Sequence, residues 1–146
     1  EVDERLWSGD REGSTVLYPD SLTTLMEERA RATYRVLSKL HEEFAGLGLR
    51  TGVKLGCPTD DGGREHMWFL VEQLGADSIL ATLLNEPYGV DGLHEGDRGR
   101  HPVELLTDWV IHTPLGAITP RSQVVARMIR ERPDEVRAAI AAGWPG

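Results

Sequence analysis

A chain of 146 residues is long enough for one domain with an ordinary hydrophobic core, and its 40% apolar and 27% charged content fits a globular protein. The net charge of −8 is concentrated between residues 61 and 118, while 119–146 is mildly basic, a balance that excludes a polyanion partner such as nucleic acid. No apolar run approaches the ~20 residues of a membrane span, and the single Cys57 excludes an internal disulfide and a multi-thiolate zinc site.

Residues 1–19 show no sustained period and carry Gly9, Gly13 and Pro19, so they read as an irregular arm. Trp7, Val16, Leu17 and Tyr18 give this arm apolar groups to pack on the body. The chain starts at Glu1 without a Met or a signal-like stretch, which fits the loss of an upstream segment or of a signal peptide. A helix is expected over residues 20–46. Leu22, Leu25, Met26, Arg29, Thr33, Val36, Leu37, Leu40 and Phe44 recur at steps of three and four, and Asp20 or Ser21 can cap the start. Gly46 can close the end, and Glu27–Arg31 supports the outer face. Leu25, Leu37 and Leu40 are expected to pack on a sheet.

Residues 50–116 are β-rich. Alternation predicts strands at 51–57, 67–71 and 79–84, separated by turn chemistry at Pro58–Gly63 and Gly75–Asp77. Connections this short pair neighbouring strands antiparallel. Residues 85–102 are rich in Gly, Pro and charge and predict a long loop, and 103–112 turn apolar again. Thr119–Pro120 is expected to open a helix buried through Val124, Val125, Met128 and Ile129, and Pro133–Asp134 a last one that stops at Gly143. The expected fold class is α+β. A small, strongly bent antiparallel sheet of four or five strands, with an SH3-like partial barrel as one form, is packed by the N-terminal helix and closed by helices within 119–143. One domain over 1–146 follows.

Four blocks carry a resemblance: Gly63-Arg64-Glu65-His66-Met67-Trp68, Leu83-Leu84-Asn85-Glu86-Pro87, Gly96-Asp97 and Asp108-Trp109. In order and spacing they resemble the YegJ-like bacterial proteins, an uncharacterised family, over roughly residues 50–116. Two departures stand out. Glu86 occupies a position where that family commonly has Asp, and Arg98–Pro102 follows Gly-Asp where the family runs into an alternating strand. The resemblance implies a bacterial, cytoplasmic setting and allows a binding role. It transfers no catalytic residue and no cofactor.

Glu65 and His66 are adjacent, so on a regular strand they point to opposite faces; His66 shares its face with Trp68. Asn85-Glu86-Pro87 suits a turn that ends a strand, and the Asn amide could also orient a ligand. His94, His101 and His112 have no tight ligand spacing with Glu86, Asp91 or Asp108, so no metal is expected. Cys57 has no base beside it in sequence and reads as a small core residue, and neither a nucleophile elbow nor a phosphate-binding Gly-rich loop is present. Strands 65–71 and 79–85, joined near 75–77, should pair so that facing positions sum to roughly 152. That register sets His66 near Glu86 and Trp68 near Leu84. With Asp108 placed there by the resemblance, the expected binding residues are His66, Trp68, Asn85, Glu86 and Asp108. They form either a binding surface or a turn-rich structural corner. The leading expectation is a non-enzymatic module binding a protein or small ligand, without cofactor. The alternatives are a small hydrolase or isomerase using Glu65, His66 and Asp108, and a structural accessory domain of a longer protein.

Overall fold

The computed structural model describes residues 20–145. The expectations for the arm at 1–19 lie outside the described residues.

Among the described residues six strands form one antiparallel sheet: β1 (Arg50–Pro58), β2 (Arg64–Leu74), β3 (Ser78–Leu83), β4 (Arg98–Pro102), β5 (Leu106–Thr113) and β6 (Gly116–Ile118). Their order is β4-β3-β2-β1-β5-β6. The fold is α+β as expected, with one more strand than the four or five read from the sequence. The sheet stays open, with β4 and β6 at its two edges. Register shifts at Lys54/Leu55 on β1 and at Val71/Gln73 on β2 interrupt the ladder, as β-bulges do where a strand bends. In the β2–β3 hairpin Phe69 faces Leu83, Leu70 faces Thr82 and Val71 faces Ala81, each pair summing to 152, before the bulge shifts the register.

Alternation gives the sheet two different faces. One carries Val53, Leu55 and Cys57 of β1, Met67, Phe69 and Val71 of β2, Ile79, Ala81 and Leu83 of β3, and Trp109 and Ile111 of β5, all in the buried core. Helix α1 (Asp20–Ala32) contributes Ala30 to this core. Helix α2 (Tyr34–Glu43) adds Leu37 and Leu40, α3 (Val124–Glu131) adds Val125 and Ile129, and α4 (Pro133–Ala141) adds Val136. The other face carries Gly52 and Lys54 of β1, His66, Trp68 and Leu70 of β2, and Asp108 and Val110 of β5.

The single helix expected over 20–46 is two. The break falls at Thr33, whose hydroxyl bonds back to the Arg29 carbonyl at 2.7 Å and accepts the Trp109 indole N–H at 2.9 Å. A side chain bonding its own preceding turn competes with regular helix geometry. Past this break Leu37 and Leu40 are buried as expected, but Leu25 is 61% exposed. At 3.6 residues per turn Leu25 lies about 140° around α1 from the buried Ala30. The inward side of α1 is instead partly polar: Glu27 accepts Arg64 Nη2 at 3.0 Å, and Arg31 Nη1 donates to the Leu106 carbonyl.

The loop expected over 85–102 ends at residue 97, and 98–102 form the edge strand β4. Gly96 has φ +90°. Its N–H donates to the Leu83 carbonyl while the Leu83 N–H donates to the Asp97 carbonyl, so two residues oppose one. This is a bulge with glycine in the left-handed position, a conformation that other residues resist, and it launches β4. Toward the C terminus, Thr119 does not open a helix. It closes a turn with Ser122, its hydroxyl accepting the Ser122 N–H, and α3 starts at Val124. Helix α4 starts at Pro133 and ends at Ala141, and Gly143 (φ +99°) turns the chain just past its cap, where the Trp144 N–H reaches the Ala139 carbonyl and the Gly143 N–H that of Ile140.

Candidate functional site

Three of the five expected site residues share the face away from the core. Lys54 pairs with Trp68 on one side and with Asp108 on the other, so Trp68, Lys54 and Asp108 form one row across β2, β1 and β5. His66 lies one pair further along, opposite Gly56. Glycine matters there: a Cβ on residue 56 would stand 3.1 Å from the imidazole Cε1, and one on Gly52 would stand 3.4 Å from the Trp68 ring. The two glycines of β1 form a floor for the two rings of β2. His66 Nδ1 lies 3.2 Å from the Thr107 hydroxyl, which lies 3.2 Å from the Lys54 carbonyl. A threonine has one proton to give. If it goes to the carbonyl, His66 donates from Nδ1 to the hydroxyl.

Asp108 is the strained charge of this face. Burial pushes its pKa above the ordinary 3.8, against the opposing pull of Arg121, the Trp109 N–H and Lys54. Its Oδ1 accepts the Trp109 N–H at 2.9 Å and lies 4.0 Å from Arg121 Nη1. For a carboxyl with a raised folded pKa, the native state binds more protons between the unfolded and folded values, so stability falls as pH rises through that window. Asp108→Asn keeps an oxygen for the Trp109 N–H and removes the charge. The variant should melt at a higher temperature than the parent at pH 7, with the gap narrowing as pH falls toward 3.8. A lower melting temperature at pH 7 would show that the ion pairing outweighs the burial cost.

Asn85 and Glu86 belong to a different structure, the loop between β3 and β4. The register holds as far as Leu84, whose N–H donates to the Trp68 carbonyl. The chain then leaves the sheet. The Glu86 carboxylate accepts the Glu95 N–H at 3.0 Å and faces His94 Nδ1 at 3.1 Å, so its described bonds close its own loop, whereas His66 is bonded to Thr107. Asn85 is exposed.

The residue that organises this loop is Glu65, on the core side of β2. Its two oxygens accept the Tyr88 N–H at 3.1 and 3.0 Å, and one also accepts the Gly89 N–H at 2.9 Å. The Gly89 carbonyl accepts the Asp60 N–H, and the Asp60 carboxylate accepts the Asp91 N–H. Tyr88, whose backbone this clamp fixes, is 99% exposed. Trp68, by contrast, is only 9% exposed. The sequence reading missed Tyr88, Lys54, Thr107 and the glycine floor. A lone tyrosine in a Gly- and Pro-rich stretch has no periodicity, and only the rule that adjacent strand residues face apart gave a signal, by separating Glu65 from His66.

Other titratable groups follow their surroundings. Burial, with Glu65 nearby, pushes the Cys57 thiol up to about 11, which leaves it unreactive at neutral pH. Glu86 raises His94 above 6.5, while burial lowers His101 and His112 below it. An NMR titration should show His94 as the late-deprotonating imidazole and the other two as early ones. A depressed histidine favours folding above its unfolded pKa, so His101 and His112 should withdraw stability as pH falls below about 6.5. Glu86→Gln should bring His94 back toward the ordinary value; an unchanged midpoint would break the pairing.

Among the described residues no group of three or more His, Cys, Asp or Glu is placed to hold a metal. Among the described residues no helix is long and apolar enough to cross a membrane. Two hollows of about 220 and 230 Å³ lie between α2 and its neighbours, and neither is lined by Glu65, His66 or Asp108.

The described residues thus form an open antiparallel sheet with helices on one face, a polar and aromatic row on the other, and a clamped loop at one end. The chain belongs to the family described as uncharacterized protein conserved in bacteria, DUF2314, whose model matches residues 24–130. The match runs from α1 into α3 and covers all six strands, wider than the 50–116 read from the sequence. No curated protein and no solved structure matches the chain.

Proposed function

We propose that the protein is a non-enzymatic binding module, a single domain that engages a protein partner in the bacterial cytoplasm through the loop at 84–97. Tyr88 leads the contact and Asn85 and Glu86 flank it, with His66, Trp68 and Asp108, on the sheet face away from the core, as the second part of the surface. The observation that carries this is the combination at Tyr88: a fully exposed aromatic ring on a backbone held by both oxygens of Glu65. Tyrosine supplies large contact area at low entropic cost, and a pre-fixed backbone lowers that cost further. Glu65 is bonded to backbone, and it faces away from His66, which favours binding over acid–base chemistry. The acidic side chains around Tyr88, among them Glu86, Asp91, Glu95 and Asp97, disfavour nucleic acid. The Glu-His-Met-Trp and Leu-Leu-Asn blocks support the narrower kinship to YegJ-like proteins.

The test places a photo-crosslinking phenylalanine analogue at position 88 in the native bacterium, with the same group at Arg137 on α4 as control. Discrete protein adducts from position 88, reduced when Glu65 is changed to Ala, support the proposal. Adduct patterns no different from those at position 137 overturn it.

A further inference from the structure

The outer edge of β4 points to a second way of binding. Hydrogen bonds to the β3 side are made by the Asp97 carbonyl, with the Leu83 N–H, and by the Val103 N–H, with the Asp77 carbonyl. Both pairs fall close to the register in which Ser78 faces Pro102 and Ala81 faces Gly99. In an antiparallel ladder inward-bonded residues alternate with outward-facing ones. Gly99 and His101 therefore bond β3, and the N–H and C=O groups of Arg98 and Arg100 face outward. Among the described residues no strand pairs with that side.

An edge of this kind is ordinarily fenced by charged side chains, bulges or proline. Here the fence is folded back. Arg98 Nε donates to Glu72 at 2.8 Å and Arg100 Nη2 to Gln73 at 3.2 Å, so both side chains lie over β3 toward β2. The His101 ring stacks inward on Phe69, with centroids 4.8 Å apart. Gly99 has no side chain, and a Cβ there would meet nothing within 4 Å. The guards that remain stand at the two ends, the Gly96–Asp97 bulge and Pro102.

We propose that β4 accepts an extended, acidic segment of a partner protein as a seventh strand. Charge complementarity selects the occupant. Arg98 and Arg100 hold the two outward-bonding positions of the edge and both are exposed, so carboxylates at the facing positions of an added strand meet positive charge, and the guanidiniums reach them by swinging off Glu72 and Gln73. A second copy of this chain, pairing β4 with β4, would set arginine against arginine, and like charges directly opposite are unfavourable. This proposal is independent of the Tyr88 loop, whose contact would come from a side chain rather than from backbone pairing.

The experiment titrates the whole protein with the peptide acetyl-Val-Glu-Val-Glu-Val-amide, followed by amide NMR. Expected are shifts centred on Arg98 and Arg100, with slowed hydrogen exchange at those two N–H groups. The fully N-methylated peptide, which cannot donate to the edge, should bind about tenfold more weakly or not at all. The peptide acetyl-Val-Lys-Val-Lys-Val-amide should also be weaker. No shift at Arg98 and Arg100 with millimolar acidic peptide overturns the proposal. Equal binding by the N-methylated form overturns strand addition, and equal binding by the lysine peptide overturns the acidic partner. None of these results bears on crosslinking from position 88, so the two proposals stand or fall separately.

Discussion

Replacing Trp109 with Ala should lower the free energy of unfolding by about 3–5 kcal/mol, the usual range for emptying a large aromatic site in a core. Trp109 is completely buried and sits on β5 opposite Val53. Its indole N–H donates to Thr33, the residue that breaks the N-terminal helix. Two effects are therefore joined, and they separate by substitution. Trp109→Phe keeps most of the apolar volume and loses the N–H together with its need for a partner. Thr33→Val keeps the indole and strands its N–H, which should cost about 1–3 kcal/mol for a buried donor left unsatisfied. The Thr33→Val penalty should largely vanish in the Trp109→Phe background, because no donor is then left without its acceptor. Urea unfolding of the four proteins closes the cycle. Additive losses would mean that the helix break at Thr33 and the indole are energetically unrelated, and that the break has another cause.

What was legible in the sequence is what local chemistry fixes. Alternation put Met67, Phe69 and Val71 on one face, which the fold buries, and the expected β2–β3 register holds from Val71 to Phe69, the stretch away from the turn. Beside the turn, across the bulge at Val71/Gln73, the pairing is offset by one (Gln73 with Leu80, Leu74 with Ile79), and no residue type announces a bulge there. Strand β4 was hidden because its inward positions are Gly99 and His101, so the alternation that defines a strand never appears as hydrophobicity. Leu25 was misplaced because three- and four-residue steps tolerate a wide stripe, while the actual contact surface is set by Arg31 reaching β5 and Glu27 meeting Arg64. The site divided for a similar reason. Register predicts backbone neighbours, and Trp68 with Leu84 is one. Where the chain leaves the sheet, side-chain bonds take over, and Glu86 turns to His94 and Glu95 within its own loop.

The second large effect is expected at Glu65. Glu65→Ala removes the acceptor for the Tyr88 and Gly89 N–H groups at once. Hydrogen bonds to a charged acceptor contribute about 1.5–3 kcal/mol each. Tyr88 lies in solvent, however, so its N–H regains water when the clamp is lost, and the global loss should stay near the lower figure. The larger change should be local. Hydrogen exchange at Tyr88 and Gly89 should accelerate toward the unprotected rate, while amides of β1 and β2 keep their protection. Glu65→Gln retains one carbonyl oxygen and should fall between parent and Ala variant. Tyr88→Ala gives the converse pattern: an exposed surface change away from caps and cores should alter stability by no more than about 0.5 kcal/mol, yet remove the ring that the loop presents. If partner crosslinks require both Glu65 and Tyr88, but only Glu65→Ala loosens the loop, the carboxylate acts by positioning and the tyrosine by contact. If instead Glu65→Ala leaves exchange at Tyr88 and Gly89 unchanged, the loop is held by its own turns and by Asp60 and Asp91, and the clamp is not what fixes it. Cys57 offers an independent check on the same variant. The Glu65 charge helps hold its thiol near 11, but burial is the larger cause, so the Ala variant should bring that pKa only slightly down and leave the thiol slow to alkylate. Fast alkylation would mean that the mutation had opened the core beneath β1 rather than released a surface loop.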